Sequence, residues 1–230
     1  MALEYQSVEL SVHSDQERGR RWIFAGIAVV EWLALIVQLV LFVLVYPLTP
    51  VGVLQGVLLF GSFFTIISNL LVAVAATRIA LQPNAAAHGK LPGAVAVYIT
   101  IVAVIWFILL RGTYPLGGIG AVVDALMHEI IPPVYVIVWI AFLPHGLLRV
   151  RDAATWLILP LCYAAWMFGR GAVDGWYPYP FLNVASIGYP RAMVVTVEFV
   201  ALFFVVGLIF VGLDRWLATS AQTTSNPPAE

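Results

Sequence analysis

Charge is scarce in this chain. Of its 230 residues only 10% are Asp, Glu, Lys or Arg, against about 25% in an ordinary soluble domain. So few charged side chains cannot cover a water-soluble fold of this length, which excludes a soluble globular protein. A basic surplus is missing too. Eleven Lys and Arg against twelve Asp and Glu leave a formal net charge of -1, with no positive field for nucleic acid. Cysteine is reduced to Cys162 alone, so neither an intrachain disulfide framework nor a cysteine-rich metal site is available. Also absent are a Walker-type glycine loop, a Rossmann fingerprint, an H-E-x-x-H pair and a G-x-S-x-G elbow. Beyond His128, the histidines are His13, His88 and His145, in or beside loops. No metal and no cofactor is expected.

What fills the chain instead is apolar: 62% of residues are hydrophobic and the mean hydropathy is +0.98. A membrane-crossing helix needs about 20 mostly apolar residues. From Trp32 to Thr77 no charged residue occurs, leaving room for two passes separated at Tyr46-Pro47-Leu48-Thr49-Pro50, where prolines withhold backbone donors. The pattern predicts an all-α polytopic membrane protein, a bundle of six transmembrane helices over about 22–46, 53–77, 93–110, 120–143, 153–169 and 191–213. Residues 1–21 form a polar N-terminal segment, 22–215 the membrane domain, and 216–230 a disordered tail rich in polar residues. The N-terminal segment lacks the form of a cleavable signal peptide, so helix one would anchor the chain. Eight of the eleven basic residues fall on one set of loops and ends and three (Arg111, Arg170 and Arg191) on the other. By the positive-inside bias both termini are cytoplasmic. The style of the chain suggests a bacterial plasma membrane. Gly52-x-x-x-Gly56 has the spacing of a helix-packing motif, at a helix end.

Polar residues inside spans are costly and tend to face the bundle interior. Here they include Glu31, Gln38, Thr65, Ser68, Asn69, Asp124, His128, Glu129 and Glu198. Asp124 and His128 stand four apart and share a helix face. A carboxylate holding one imidazole nitrogen leaves the other basic, which is the base-and-orienter half of a nucleophilic site. A satisfied polar pair is the competing reading of the same spacing. Pro132-Pro133 follows one turn later and would kink the helix, opening space beside the pair. On helix two, Thr65, Ser68 and Asn69 fall at i, i+3 and i+4 and form one polar stripe. In a continuous 53–77 helix Thr65 would lie roughly 18 Å from the outer end, close to the roughly 12 Å depth of His128. Between helices five and six, Trp176-Tyr177-Pro178-Tyr179-Pro180-Phe181 is an aromatic, proline-stiffened stretch. It reads either as an interfacial aromatic belt or as a lid where substrate enters. Arg170 and Arg191 flank it and would suit an anionic headgroup or carboxylate.

The segments Phe64-Thr65-Ile66-Ile67-Ser68-Asn69-Leu70-Leu71, His128-Glu129-Ile130-Ile131-Pro132 and Gly175-Trp176-Tyr177-Pro178-Tyr179-Pro180-Phe181-Leu182 together resemble the androgen-induced protein family of six-helix membrane proteins. That family includes the androgen-dependent regulator of tissue factor pathway inhibitor. The likeness covers helices two to six. It implies hydrolysis of fatty acid esters of hydroxy fatty acids by an intramembrane threonine and a histidine. The family histidine maps onto His128. The threonine maps onto Thr65, or by a small register shift onto Ser68. Asp124 comes from spacing and not from the resemblance.

The expectation is therefore a membrane-embedded lipid-ester hydrolase, with Thr65 as nucleophile, His128 as base and then acid, and Asn69 or Ser68 donating to the oxyanion. Membrane lipids or a lipid-like substrate are the expected partners. The alternative is a non-enzymatic protein that binds or carries a lipid or small hydrophobic molecule, with Glu31, Asp124, Glu129 and Glu198 facing one cavity.

Overall fold

The structure is a computed structural model that describes the backbone of residues 2–82, 87, 89–113 and 116–225, with side chains over 15–82, 87, 89–113 and 116–220. Every regular element among the described residues is helical. Six helical stretches are long and apolar enough to cross a membrane: Asp15–Val43, Phe64–Leu81, Leu91–Leu110, Gly118–Phe142, Val150–Asp174 and Val184–Ser220. The chain is an all-α, multi-pass membrane bundle. His88 and the side chain of His13 lie outside the described residues.

Helix α1 (Ala2–Val43) carries the polar N-terminal segment and the first span in one rod. After the proline-rich break, α2 (Pro50–Phe60) starts on a local signal: Thr49 Oγ1 accepts the Gly52 N–H at 3.1 Å and Pro50 occupies the first turn. Both glycines of the Gly52-x-x-x-Gly56 pair are buried. A Cβ on Gly56 would stand 2.5 Å from the Val43 Cα, so only glycine lets α2 lie on the end of α1.

The expected continuous helix over 53–77 is not what forms. The ladder stops at Gly61 and Ser62, and a new helix, α3 (Phe64–Leu81), begins. In an unbroken helix the Phe64 N–H would bond the Phe60 carbonyl. It donates instead to the Tyr179 hydroxyl at 2.9 Å. The Tyr163 hydroxyl donates to the Ser62 carbonyl at 2.8 Å. Groups freed by the break are thus satisfied by tyrosines from distant segments, as backbone in hydrocarbon requires. The consequence is a correction to the depth argument: Thr65 lies in the first turn of α3, not midway down a long helix.

Four further interruptions mark the later spans, three of them beside prolines. Helix α4 (Leu91–Ile105) runs into a π-helical turn at Trp106–Leu110, closed by Arg111 N–H to the Trp106 carbonyl at 2.7 Å. The fourth span consists of α5 (Gly118–Ala125), a π turn at Leu126–Ile130 and α6 (Ile131–Phe142). Pro132 and Pro133 have no N–H to return to the preceding turn, and the wider turn accommodates their rings. In that register residue 132 would serve the Met127 carbonyl. The Asn69 amide reaches it at 3.4 Å. The fifth span divides into α7 (Val150–Thr155) and α8 (Ile158–Asp174). Pro160 leaves the Trp156 carbonyl unserved, and the Tyr98 hydroxyl takes it at 2.7 Å. Helix α9 (Val184–Ser225) is kinked at Gly188, whose φ is 74°, two residues before Pro190. It stays helical through Ser225, well past the 215 boundary set from sequence, while 226–230 lie outside the described residues.

Lipid gives helices no hydrophobic reason to associate, so contacts favour small side chains and polar ties. Buried Ala75, Ala76 and Ala80 of α3 share a cluster with buried Ala94 and Ala96 of α4. Trp32 Nε1 donates to Thr77 Oγ1 at 3.1 Å, tying α1 to α3. At the loop end of the bundle, buried Asp214 accepts the Leu148 N–H at 2.8 Å and stands 3.2 Å from His145 Nδ1. Lys90 meets Asp152 there at 2.6 Å. Large apolar side chains such as Leu33, Phe107, Ile137 and Val197 point outward, where lipid would cover them.

Candidate active site

The break before α3 and the π turn of the fourth span bring two side chains together. Thr65 Oγ1 lies 3.3 Å from His128 Nε2. On the ring's other side, Nδ1 is 2.9 Å from the Asp124 backbone carbonyl and 3.0 Å from its carboxylate. Both neighbours of Nδ1 are acceptors, so the proton belongs on Nδ1 and the Nε2 lone pair faces the threonine. Trp106 stacks on the imidazole, with centroids 5.5 Å apart and planes 20° apart, so the ring is held at both its edge and its face. Thr65 itself is 8% exposed.

Thr65 borders two cavities. One is a chamber of about 370 Å³ that also takes in His128, Asp124, Gln38, Trp106 and Trp176. The other is a slot of about 80 Å³, walled by apolar side chains from α3, α4, α8 and α9. Phe64, Ile101, Met167, Phe199 and Phe203 are among them. Hydroxyl and imidazole therefore stand where a narrow apolar space meets a wider, partly polar one.

The aromatic segment after α8 closes this junction. Gly175, at φ 73°, ends α8 in the left-handed conformation and turns the chain back over the bundle. Trp176 and Tyr179 pack edge-on against Phe63, at 6.0 and 6.1 Å. Tyr177 lies on Gly171, where a Cβ would come within 2.2 Å of its ring. Trp176, Tyr177 and Tyr179 all line the chamber. Burial pushes the Tyr179 phenol above its ordinary range, partly offset by the Thr65 hydroxyl and by the Phe64 and Thr65 amides beside it. The phenol thus keeps its proton at neutral pH.

Other residues singled out from sequence are placed differently. The Asn69 amide donates to the Thr65 carbonyl at 2.9 Å and to the Met127 carbonyl at 3.4 Å, so both its hydrogens are engaged. Ser68 is fully buried and borders neither cavity. Neither is positioned as the expected oxyanion donor, and Ser68 does not share the His128 contact that Thr65 makes. Arg170 gives Nε to Asp174 at 2.8 Å and Nη1 to the Ser62 hydroxyl and the Leu58 carbonyl, and lies over the Trp176 ring. It pins the break before α3 to the aromatic segment. Arg191 sits on the exposed face of α9, 4.0 Å from Glu198, and borders neither cavity. Glu129 and Glu198 are exposed and Glu31 is fully buried. Of the four intramembrane acids, Asp124 alone borders either cavity. Gln38 was marked by the sequence only as one of the polar residues within the spans, and Trp106 not at all. A lone Trp in an apolar run carries no spacing signal to mark it.

No protein-family model, curated protein or solved structure matches this chain.

Proposed function

We propose that this protein is an intramembrane hydrolase of lipid-like esters. The observation that carries the reading is the contact between Thr65 Oγ1 and His128 Nε2, with Nδ1 held by Asp124, at the meeting point of an apolar slot and a larger chamber. Thr65 attacks the ester carbonyl as its proton passes to His128. The imidazolium then protonates the departing alkoxide, leaving an acyl-threonine. A water enters by the same route, gives its proton to His128, and releases the acid and the free threonine. Asp124 steadies the imidazolium at Nδ1. The slot suits an acyl chain, and the chamber suits the more polar alcohol half.

The resemblance to the androgen-induced protein family makes fatty acid esters of hydroxy fatty acids the first substrates to try, with a bacterial plasma membrane as the setting. The test is labelling of detergent-purified protein with a fluorophosphonate probe. Wild type is expected to label, while Thr65→Ala and His128→Ala do not. Equal labelling of all three removes the assignment. Ser68→Ala is expected to label like wild type, which separates the two hydroxyls.

A further inference from the structure

We propose that Tyr179 supplies the oxyanion donor of this site, a catalytic role that rests on the hydrolase reading above. Attack by Thr65 places negative charge on the former carbonyl oxygen, and a useful donor must lie about 2.7–3.1 Å from that position. The substrate carbonyl has to sit at the junction of the two cavities, because its carbon must reach Thr65 Oγ1 while its two halves point opposite ways. Among the described residues, Thr65, Leu110 and Tyr179 border both cavities. Tyr179 is therefore the one side-chain donor among them besides the nucleophile.

Gln38, Trp106, Trp176 and Tyr177 border the chamber alone, and three nearer donors have given their hydrogens elsewhere. The Tyr163 hydroxyl donates to the Ser62 carbonyl. Thr196 donates to the Ala192 carbonyl at 2.8 Å. The Asn69 amide serves Thr65 and Met127. Tyr179 differs because its oxygen is engaged as an acceptor, from the Phe64 N–H. That bond fixes the oxygen on the first turn of α3 and leaves the O–H to donate. A phenol that accepts from an amide is also polarised toward stronger donation. The Thr65 and Tyr163 hydroxyls are both electrostatic neighbours of the phenol.

The Thr65 Oγ–H proton moves to His128 Nε2 as the Oγ–C bond forms, and the carbonyl π pair becomes an oxyanion lone pair. The Tyr179 O–H, which has the Thr65 and Tyr163 hydroxyls as neighbours, turns to that oxyanion without losing its proton. When the carbonyl re-forms and the C–O bond to the alcohol breaks, His128 delivers the proton to the leaving oxygen. Tyr179 ends each half-reaction as it began.

The experiment measures turnover of p-nitrophenyl butyrate and inhibition by an alkyl trifluoromethyl ketone, whose adduct with Thr65 carries the same oxyanion. Wild type and Thr65→Ala come first. If no Thr65-dependent turnover exists, the hydrolase reading fails and this inference fails with it. If turnover exists, Tyr179→Phe is expected to lose about 10²–10³-fold in kcat. It should lose a comparable factor in ketone affinity, with KM little changed. A residue that only caps α3 would lower thermal stability without that split, and a kcat within threefold of wild type overturns the assignment while the hydrolase reading stands. Should Tyr179→Phe not fold, 3-fluorotyrosine at position 179 keeps the cap and makes the donor more acidic. Tighter ketone binding is then expected, and unchanged binding overturns the proposal.

Discussion

His128 Nδ1 is held twice by Asp124, at 2.9 Å from its backbone carbonyl and 3.0 Å from its carboxylate. On a helix a side chain can reach either the side chain or the carbonyl four residues back, as Asn69 reaches the Thr65 carbonyl. His128, in the π turn that begins at Leu126, meets both groups of Asp124 at once. The tautomer that a nucleophilic site needs is thus set partly by main chain, which mutation cannot remove.

That double hold makes the effect of losing the carboxylate smaller than in sites where the carboxylate is the sole orienter. There, its replacement by an amide costs about 10⁴-fold by installing the wrong tautomer. In Asp124→Asn and Asp124→Ala the backbone acceptor still selects the Nδ1–H form. Ester turnover is expected to fall about tenfold to a hundredfold, through loss of imidazolium stabilisation, with the protein still labelled by a fluorophosphonate. A fall as deep as that of His128→Ala would show that the carbonyl contributes nothing.

Pro132 and Pro133 make a second, sharper test. Both stand in the first turn of α6, where their missing N–H groups do no harm to α6 itself. Their effect is on the turn before, which widens to the π form and carries His128. Replacing both with Ala restores the ordinary ladder, and removal of one residue's worth of bulge turns the ring about 100° around the axis. Pro132→Ala/Pro133→Ala is expected to lose ester turnover by more than 10²-fold with no loss of thermal stability. Turnover near wild type would mean that the prolines do not position the histidine.

The six spans were legible because length and absence of charge are enough to specify them, and the break at Tyr46–Pro50 because proline announces itself. The Asp124–His128 pair was legible because a helix places i and i+4 together whatever surrounds it. The break at Gly61–Phe63 was not. Nothing in Phe60-Gly61-Ser62-Phe63 forbids a helix in lipid, and the interruption is stabilised by Tyr163 and Tyr179, each more than a hundred residues away. For the same reason Arg170 read as a headgroup ligand: its Ser62 and Leu58 partners are invisible until the chain is folded. The expected depth match between Thr65 and His128 rested on a helix that does not form. Their 3.3 Å contact arises from a break and a π turn.

Gly171 tests the seat of the aromatic segment. The Tyr177 ring occupies the space where a Cβ would be, at 2.2 Å. Overpacking of this kind typically costs about 1–3 kcal/mol. It also displaces the stretch that carries Trp176 and Tyr179 into the chamber. Gly171→Ala is expected to lower ester turnover and to make Trp176 fluorescence more accessible to an aqueous quencher, read in a variant background where the other tryptophans are subtracted. Gly169, two residues away with open space beside it, is the control: Gly169→Ala should change neither reading.

Glu31, fully buried in the first span, is a carboxylic acid enclosed by the bundle with nothing to bond to among the described residues. It borders neither cavity, so the chemistry proposed for Thr65 and His128 does not call on it. A buried polar group without a partner costs about 1–3 kcal/mol. Methionine has a similar length, no such groups and enough flexibility to fill the same space. Glu31→Met is expected to raise the thermal midpoint in detergent, at about 2–4 °C per kcal/mol for a chain of this size, while ester turnover stays at the wild-type level. A fall in the midpoint would mean that the carboxyl is bonded within the bundle after all. A fall in turnover at unchanged midpoint would bring Glu31 into the reaction and require the site to be extended toward α1.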